Sequence, residues 1–215
     1  MSDHPKPIAA VILAAGQSRR MGRPKLLLPW GRGLLVDAVL SQVSQAGFDR
    51  AVLVSGAWRQ QVEARAALYN TACAYNPDYG RGQSTSLQAG LTWLRGQSPQ
   101  AAAMFIPADQ PWLSSQLLDR LIAAWQQCSQ PILLPRFSNG QRGNPAIFSP
   151  SLFPQLMQIK GDVGGRPLLQ AHPELIAYLD LEDRAVLLDI DDEADYMKAR
   201  GGDHGPEDVL SDSHS

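Results

Sequence analysis

The sequence predicts an α/β protein with a mostly parallel sheet that is covered by helices on both faces. Its first strand candidate, Ile8–Ala14, is a continuous apolar run, as in strands that are buried on both sides. Short apolar runs then alternate with helical patterns of about 10–15 residues, which indicates βαβ units. The chain has 215 residues and is 44% hydrophobic, so it is large enough to form one substantial core.

The first half of the chain contains three strand candidates, each followed by a helix. A polar loop follows the first strand as far as Trp30. The segment 34–46 has apolar residues at helical spacing and stops at Gly47, which favours helix termination. The later candidates in this half are a strand at 51–54, a helix at 58–68, a strand at 71–75 and a helix at 84–94.

The second half begins with the same alternation and then becomes irregular. Residues 101–106 form a strand candidate, and Ser114 or Ser115 can cap a helix that extends to about Gln127. The later candidates are strands at 131–135 and 185–188, an apolar segment at 145–148, and a final helix after Asp192. We find no repeat and no linker, and therefore expect one domain at 1–200 and a disordered polar tail at 201–215.

Composition excludes several classes of protein and site. Cys73 and Cys128 cannot form a disulfide framework and lack metal-ligand spacing, so we expect buried thiols. Three of the four histidines lie in the polar ends, which argues against a zinc site or a Ser-His-Asp triad. The net charge of −2 disfavours nucleic acid as a partner. Without a membrane span or a signal peptide pattern, we expect a cytoplasmic protein with no membrane partner.

The loop after the first strand is the strongest candidate for a phosphate site. Ligands of open parallel sheets bind beyond the carboxyl ends of the strands. Ala14, Ala15 and Gly16 are small enough to let a ligand approach the backbone. Four cations follow within seven residues: Arg19, Arg20, Arg23 and Lys25. The loop matches neither common phosphate motif, but its position predicts a polyphosphate cradle, with a solvated basic loop as the alternative.

Two acidic positions are candidates for a metal site. Asp109 comes directly after an apolar strand, and it is free for another role because the serines at 114 and 115 can cap the next helix. A carboxylate beside polyphosphate indicates Mg²⁺. Asp191 follows the last apolar run, where strand alternation would put it on the same side as Asp189. Asp192 is predicted to be the N-cap of the final helix. A structural role for Asp109 and a solvated acidic turn at Asp191 are the alternatives.

Three glycine-containing segments could complete the site. Residues 80–86 open a helix and offer hydroxyls and free amides to a nucleobase or a phosphate. Residues 140–145 and 161–166 each present one arginine on a flexible turn, Arg142 and Arg166. Either guanidinium could bind an acceptor phosphate or carboxylate. Ordinary loop glycines with surface arginines are the alternative.

Taken together, these segments resemble the MobA-like nucleotidyltransferases, most closely their molybdenum cofactor cytidylyltransferase branch. The first motif alone is shared by many nucleotidyltransferases, whereas the full set in this order is more specific. The matching segments cover nearly all of the chain before the tail: 13–25, 82–87, 107–111, 140–145, 161–166 and 189–191. The resemblance implies a Rossmann-like three-layer α/β/α nucleotidyltransferase fold with a mostly parallel sheet. It also implies use of a nucleoside triphosphate and Mg²⁺ with release of pyrophosphate.

The resemblance assigns roles residue by residue. It implies that the nucleotide is bound by Leu13, Ala14, Ala15, Gly16, Arg20, Lys25, Ser84, Ser86 and Asp109. The catalytic residues are then Arg20, Lys25 and Asp109, and the metal ligands are Asp109 and Asp191. Binding of the acceptor falls to Arg142, Asn144, Asp162 and Arg166.

The resemblance also favours particular substrates. Leu13-Ala-Ala-Gly16 stands where guanylyl-transferring relatives commonly have Leu-Ala-Gly-Gly, which favours CTP. The segments at 109–111 and 143–145 favour CTP as well. The implied acceptor is the terminal phosphate of molybdopterin or its molybdenum-loaded form, and a molybdoenzyme or its chaperone is the expected recipient of the product. A sugar phosphate or another small phosphate as acceptor, or nucleotide binding without turnover, are the alternatives.

Overall fold

The computed structural model describes residues 5–182 and 188–201. Within them, seven strands form one sheet in the order β5–β4–β1–β6–β8–β7–β9, and β2 and β3 form a separate small hairpin. In the main sheet, β8 runs antiparallel to both neighbours and the other pairs are parallel. The strands are β1 Ile8–Ala14, β2 Pro29–Trp30, β3 Gly33–Leu34, β4 Arg50–Ser55, β5 Ala72–Tyr75, β6 Ala102–Pro107, β7 Ile132–Phe137, β8 Ala146–Phe148 and β9 Ile176–Leu181.

Helices cover both faces of the main sheet, each above its own apolar core. The helices are α1 Leu35–Gln45, α2 Arg59–Leu68, α3 Gln83–Gln97, α4 Ser115–Gln127, α5 Phe153–Leu156, α6 Arg166–Ala171 and α7 Glu193–Gly201. Residues of α1, α2, α4 and α7 form the core on one face, and residues of α3, α5 and α6 form the core on the other. The expected three-layer α/β/α fold with a mostly parallel sheet is therefore confirmed. Among the described helices, none is long and apolar enough to cross a membrane.

The central strand β1 places the loops from which the site is built. Its residues are buried except for Leu13, which is partly buried, and it lies between β4 and β6. Leu13 is opposite Pro107 of β6 in the parallel register, and the Ala108 amide donates to the Leu13 carbonyl at 3.2 Å. The loops that follow β1 and β6 therefore leave the sheet side by side.

Most elements lie within three residues of their predicted bounds, and the exceptions are in the less regular parts of the chain. The hairpin β2–β3 and the strand β9 were not predicted. The predicted strand at 185–188 falls outside the described residues, apart from Leu188, which belongs to no strand. Both predicted caps are confirmed: the Ser114 hydroxyl accepts from the Leu117 amide at 3.2 Å, and the Asp192 carboxylate accepts from the Asp195 amide at 2.9 Å.

The two cysteines are free thiols, but the prediction that both are buried is wrong. Cys73 and Cys128 are each only partly buried. Cys73 lies on β5, which is an edge strand of the sheet, and Cys128 follows the end of α4. Edge strands and helix ends have neighbours on fewer sides than central strands. Desolvation of the Cys73 thiol, with a smaller contribution from Glu63, raises its pKa to about 11.

Close packing of α3 on β1 gives a test of the fold. A Cβ atom at Gly90 would overlap the Val11 side chain and lie 3.2 Å from Val54 Cγ2. We expect Gly90→Ala to lower the free energy of unfolding by about 1–3 kcal/mol, because overpacking outweighs the gain in helix propensity. Gly96 of the same helix has nothing within 4 Å of such an atom. Gly96→Ala should therefore raise stability by about 0.5–1 kcal/mol. Equal effects in denaturant unfolding would contradict this packing.

Candidate active site

A cleft of about 720 Å³ opens at the carboxyl edge of the sheet. It lies between the loop after β1, the start of α3 and the loop that precedes α6. The sequence-derived site residues that line it are Leu13, Ala15, Gly16, Arg20, Lys25, Ser86, Asp109, Asp162, Arg166 and Asp191. Ten positions drawn from five separate segments thus meet in one cavity.

Four other candidate residues lie elsewhere. Ala14 and Ser84 are buried next to the cleft, with 1% and 2% of their surface exposed, and do not line it. Arg142 and Asn144 lie in the exposed loop between β7 and β8 and are also absent from the cleft walls. The Arg142 guanidinium instead stands 5.4 Å from the ring centroid of Tyr178 on the edge strand β9. Arg142 of the loop between β7 and β8 thus packs near β9 instead of lining the cleft.

The basic loop folds back on itself around Ser18, a residue that the sequence analysis did not select. Ser18 has a positive φ of 53°, and its carbonyl accepts from the amides of Met21 and Gly22, each at 3.1 Å. Its hydroxyl accepts from the Lys25 amide at 3.0 Å. Gly22 has φ of +64°, a left-handed conformation that glycine adopts without strain. These bonds close the loop and return the chain toward the cleft at Lys25.

Opposite charges converge on the Lys25 ammonium. Its Nζ atom lies 2.6 Å from Asp109 Oδ2 and 3.5 Å from Asp191 Oδ1, and Arg20 lies 3.1 Å from the same Asp191 oxygen. The side chain of Lys25 is only 13% exposed and that of Asp109 22%, so water screens this pair weakly. The exposed Arg20 contact contributes less. The structure therefore brings both predicted acids and both predicted cations together.

Asp191 is held beside Asp109 by backbone contacts and not by a strand. The buried Ile190 donates its amide to the Asp109 carbonyl at 3.0 Å. The Asp195 carboxylate accepts from the Asp191 amide, also at 3.0 Å. Residues 188–191 belong to no strand, so the alternation argument that paired Asp189 with Asp191 is wrong. The side-chain placement of Asp191 follows from its neighbours in the turn.

Asp189 does not line the cleft, and Gln110 donates to its carboxylate at 2.9 Å. Its pKa is raised to about 6, first by desolvation and second by the negative charge of Asp109. Carboxylates are thus crowded on this side of the site, where a cation would be stabilised.

The turn before α3 requires glycine at position 82. Gly82 has φ of +118°, a conformation that side-chain-bearing residues rarely adopt. A Cβ atom there would lie 2.5 Å from the carbonyl carbon of Gly161. The start of α3 and the loop that precedes α6 are therefore in direct backbone contact and form one continuous wall of the cleft.

This contact corrects the prediction that the first amides of α3 are free for a ligand. The Gln83 amide donates to the Asp162 carboxylate at 3.0 Å, and the Ser84 amide donates to the Gly161 carbonyl at 3.2 Å. Side chains and carbonyls from a distant loop thus satisfy groups that are usually open at a helix start. Ser86 lines the cleft with a hydroxyl group, together with Arg81 and Gln83 from the same turn.

The donor set suits a hard divalent cation that also binds phosphate. Among the described residues, no group of three or more His, Cys, Asp or Glu side chains could hold a metal ion by itself. Asp109 and Asp191, which share the Lys25 ammonium, offer two carboxylates. Mg²⁺ is typically bound through one or two carboxylates and completed by phosphate oxygens and water. The site therefore fits such an ion when a nucleotide supplies the remaining ligands.

The fold and the cleft together define a nucleotidyltransferase: a covered parallel sheet with a cationic loop and two acids at its carboxyl edge. The chain belongs to the MobA-like NTP transferase domain family, whose model matches residues 10–175. The resemblance inferred from the motifs is thereby confirmed.

Individual relatives cover nearly the full chain. Molybdenum cofactor cytidylyltransferase of Escherichia coli K12 is 27% identical, over 90% of this chain and 95% of its own. Nicotine blue oxidoreductase of Paenarthrobacter nicotinovorans is 31% identical, over 86% of this chain and 92% of its own. The structure of Rv0371c from Mycobacterium tuberculosis H37Rv in complex with manganese is 29% identical, with a TM-score of 0.75 and coverage of 89% and 97%. The relatives thus include proteins named for different activities.

Of the four cations of the basic loop, Arg23 binds the helix α7 and does not line the cleft. Its guanidinium contacts the Glu193 carboxylate at 2.5 and 3.2 Å in a two-point ion pair. Close by, the buried Tyr196 donates its hydroxyl to the Pro29 carbonyl at 2.7 Å. Helix α7 thus holds both ends of the segment that contains Lys25, a link that the spacing of cations in the sequence did not reveal.

We expect Glu193→Gln to lower the free energy of unfolding by no more than about 1 kcal/mol, because solvent screens a half-exposed pair. Thermal unfolding at low and high salt measures this effect, which should shrink as salt rises. The exchanged pair Arg23→Glu with Glu193→Arg should recover part of the loss. The matched control is Arg81→Gln, which breaks a more exposed 3.4 Å pair with Asp78 and should change little. A loss that is independent of salt would contradict an ionic role.

Proposed function

We propose that this chain transfers CMP from CTP to the terminal phosphate of a molybdopterin-type acceptor, with Mg²⁺ as its metal and pyrophosphate as the other product. The observation that supports this most is that Lys25 of the basic loop lies within ion-pair distance of both Asp109 and Asp191 in the cleft. Cations for phosphates and carboxylates for a metal then occupy one cleft. A protein that only binds nucleotide would have little use for the paired acids.

The proposed reaction needs no general base from the protein. A phosphate monoester has a second pKa near 6 and is largely ionised at neutral pH. An oxygen of the acceptor phosphate forms a bond to the α-phosphorus of CTP, and the bond from that phosphorus to the bridging β-phosphate oxygen breaks. Pyrophosphate leaves with the electron pair. This chemistry agrees with a cleft whose described lining contains no histidine.

The residues would act by position and charge. Asp109 and Asp191 would hold the metal, which supplies positive charge to the phosphate oxygens. The ammonium of Lys25 would exchange its carboxylate partner for the leaving pyrophosphate, and Arg20 is exposed enough to reach the same phosphates. Preorganised charge of this kind is usually the main source of rate enhancement in phosphoryl-type transfers.

Ala15 supports CTP as the nucleotide, because it stands where guanylyl-transferring relatives commonly have glycine. This residue lines the cleft, and a Cβ atom at Gly56 would lie only 2.7 Å from the Ala15 Cβ. The backbone of Gly56 therefore packs against Ala15 and fixes its position at the edge of the cleft. The full-length similarity to the E. coli cytidylyltransferase supports the same choice.

The acceptor would enter from the wall opposite the basic loop. Arg166, at the start of α6, lines the cleft there, and Asp162 stands beside it. A guanidinium can bind a phosphate through two parallel hydrogen bonds, which suits positioning of an incoming anion. Arg142 packs on Tyr178 of the edge strand β9 and does not line the cleft. The proposal therefore depends on Arg166 for orientation of the acceptor.

A second candidate function comes from the relative named nicotine blue oxidoreductase. Pyrophosphate release with each of the four NTPs, with and without molybdopterin, separates the two possibilities. We expect release with CTP alone and only when the acceptor is present. Oxidation or reduction of nicotine blue without pyrophosphate release would overturn the proposal. Release with a sugar phosphate in place of molybdopterin would retain the class of reaction and change the acceptor.

We expect Asp109→Asn to reduce the rate of pyrophosphate release by about 10²–10³-fold or more, because the amide removes a metal ligand and its charge. The control is Glu174→Gln, an exposed acid that contacts only the nearby His172 among the described groups. Circular dichroism should show the fold unchanged in both variants. Near-normal turnover by the Asp109 variant would remove it from the metal role.

Lys25→Met should lower the rate at saturating CTP by about 10²-fold, because its charge is needed as pyrophosphate leaves. Removing the ammonium also leaves Asp109 and Asp191 without their shared cation. Binding of Mn²⁺ without nucleotide should therefore tighten in this variant. Lys160→Met, at an exposed lysine, is the control. An unchanged rate at saturating CTP would contradict the assignment of Lys25.

A further inference from the structure

A buried side-chain amide is hydrogen-bonded to Ser86, a residue of α3 that lines the cleft. Asn76 follows β5 and is only 2% exposed. Its backbone amide donates to the carbonyl of Ser55 at 2.9 Å, which fixes the residue at the end of β4. Asn76 itself does not line the cleft, and the sequence analysis did not select it.

The orientation of the Asn76 side chain is determined by its partners. Its Oδ1 atom accepts from the backbone amide of Asp78 at 3.0 Å. A backbone N–H can only donate, so the oxygen of the side chain must face Asp78 and the NH₂ group must face the other way. That NH₂ group donates to the hydroxyl oxygens of Thr85, at 2.9 Å, and Ser86, at 3.1 Å.

The hydroxyl groups of Thr85 and Ser86 differ in the acceptor to which they can donate. Thr85 donates to the carbonyl of Gly82 at 2.8 Å, within the wall of the cleft. The Ser86 oxygen accepts from Asn76, and its own proton goes to no acceptor among the described residues. Because Ser86 lines the cleft, the cavity is the open direction for that proton.

We propose that Asn76 is a positioning residue that makes Ser86 a hydrogen-bond donor toward the nucleobase. The cleft would then select a base that presents a carbonyl oxygen or an unprotonated ring nitrogen at that point. Cytosine offers two such acceptors side by side, O2 and N3. This inference rests on the proposed function, since it takes the cleft to be the nucleotide site, and it adds how one edge of the base is recognised.

Two variants and their combination test the polarity of this contact. In Asn76→Asp the carboxylate still accepts from Asp78, but it accepts the proton of Ser86 instead of donating to its oxygen. Ser86→Ala removes the donor. Binding by the full-length protein is measured calorimetrically with CTP and with inorganic tripolyphosphate, which has no base. Each variant should weaken CTP binding about 3- to 10-fold, the usual effect of one hydrogen bond, and leave tripolyphosphate binding unchanged.

The double variant distinguishes positioning from an independent effect. If Asn76 acts through Ser86, the double variant binds CTP no more weakly than Ser86→Ala alone. Additive losses would overturn the inference, as would equal weakening of CTP and tripolyphosphate. If Asn76→Asp fails to fold, Ser86→Ala still decides: it must weaken CTP selectively, whereas Thr92→Ala, an exposed hydroxyl on the same helix, must not.

Failure of this inference and failure of the proposed function give different results. If the unmodified protein binds neither CTP nor tripolyphosphate, the cleft is not a nucleotide site and both fall. If it binds both ligands but the Ser86 and Asn76 variants show no dependence on the base, only the inference falls.

Discussion

Charge compensation at the carboxyl edge of the sheet is the interaction on which the site depends. Lys25 and Asp109, whose side chains have little exposure to water, would each be costly if left unpaired. The parallel register of β1 and β6 places the loops that contain Lys25 and Asp109 side by side, and the Ile190 amide brings Asp191 to the same place. The charges satisfy one another without a ligand, and a metal-bound triphosphate would supply an equivalent set of partners.

The sequence was most informative where local patterns determine structure. A buried apolar run defines β1, and the small residues and cations after it locate the basic loop that lines the cleft. Asp109 was found because it follows a strand and is not needed as a helix cap. Its role as a metal ligand, like the other assigned roles, stays a prediction.

Contacts between distant segments account for what the sequence analysis missed. Asp191 was selected through a strand that does not include it, whereas its position depends on a backbone bond to Asp109. The amides at the start of α3 were expected to be free because the first amides of a helix have no partner within the helix, and Asp162 binds one of them from a remote loop. Asn76 has no motif at all. Its importance is visible only from the three groups that surround its amide.

The attachment of α7 to the basic loop has a consequence for how the molecule matures. Asp191 and the helix α7, which binds Arg23, come from the last part of the described chain, whereas the basic loop follows the first strand. Chains are made from the N-terminus, and early segments can begin to fold during synthesis. A nascent polypeptide that ends before Asp191 could form most of both cores and still lack one acid of the cleft. This second acid of the proposed metal site would therefore join the cleft only when almost all of the described chain has been synthesised.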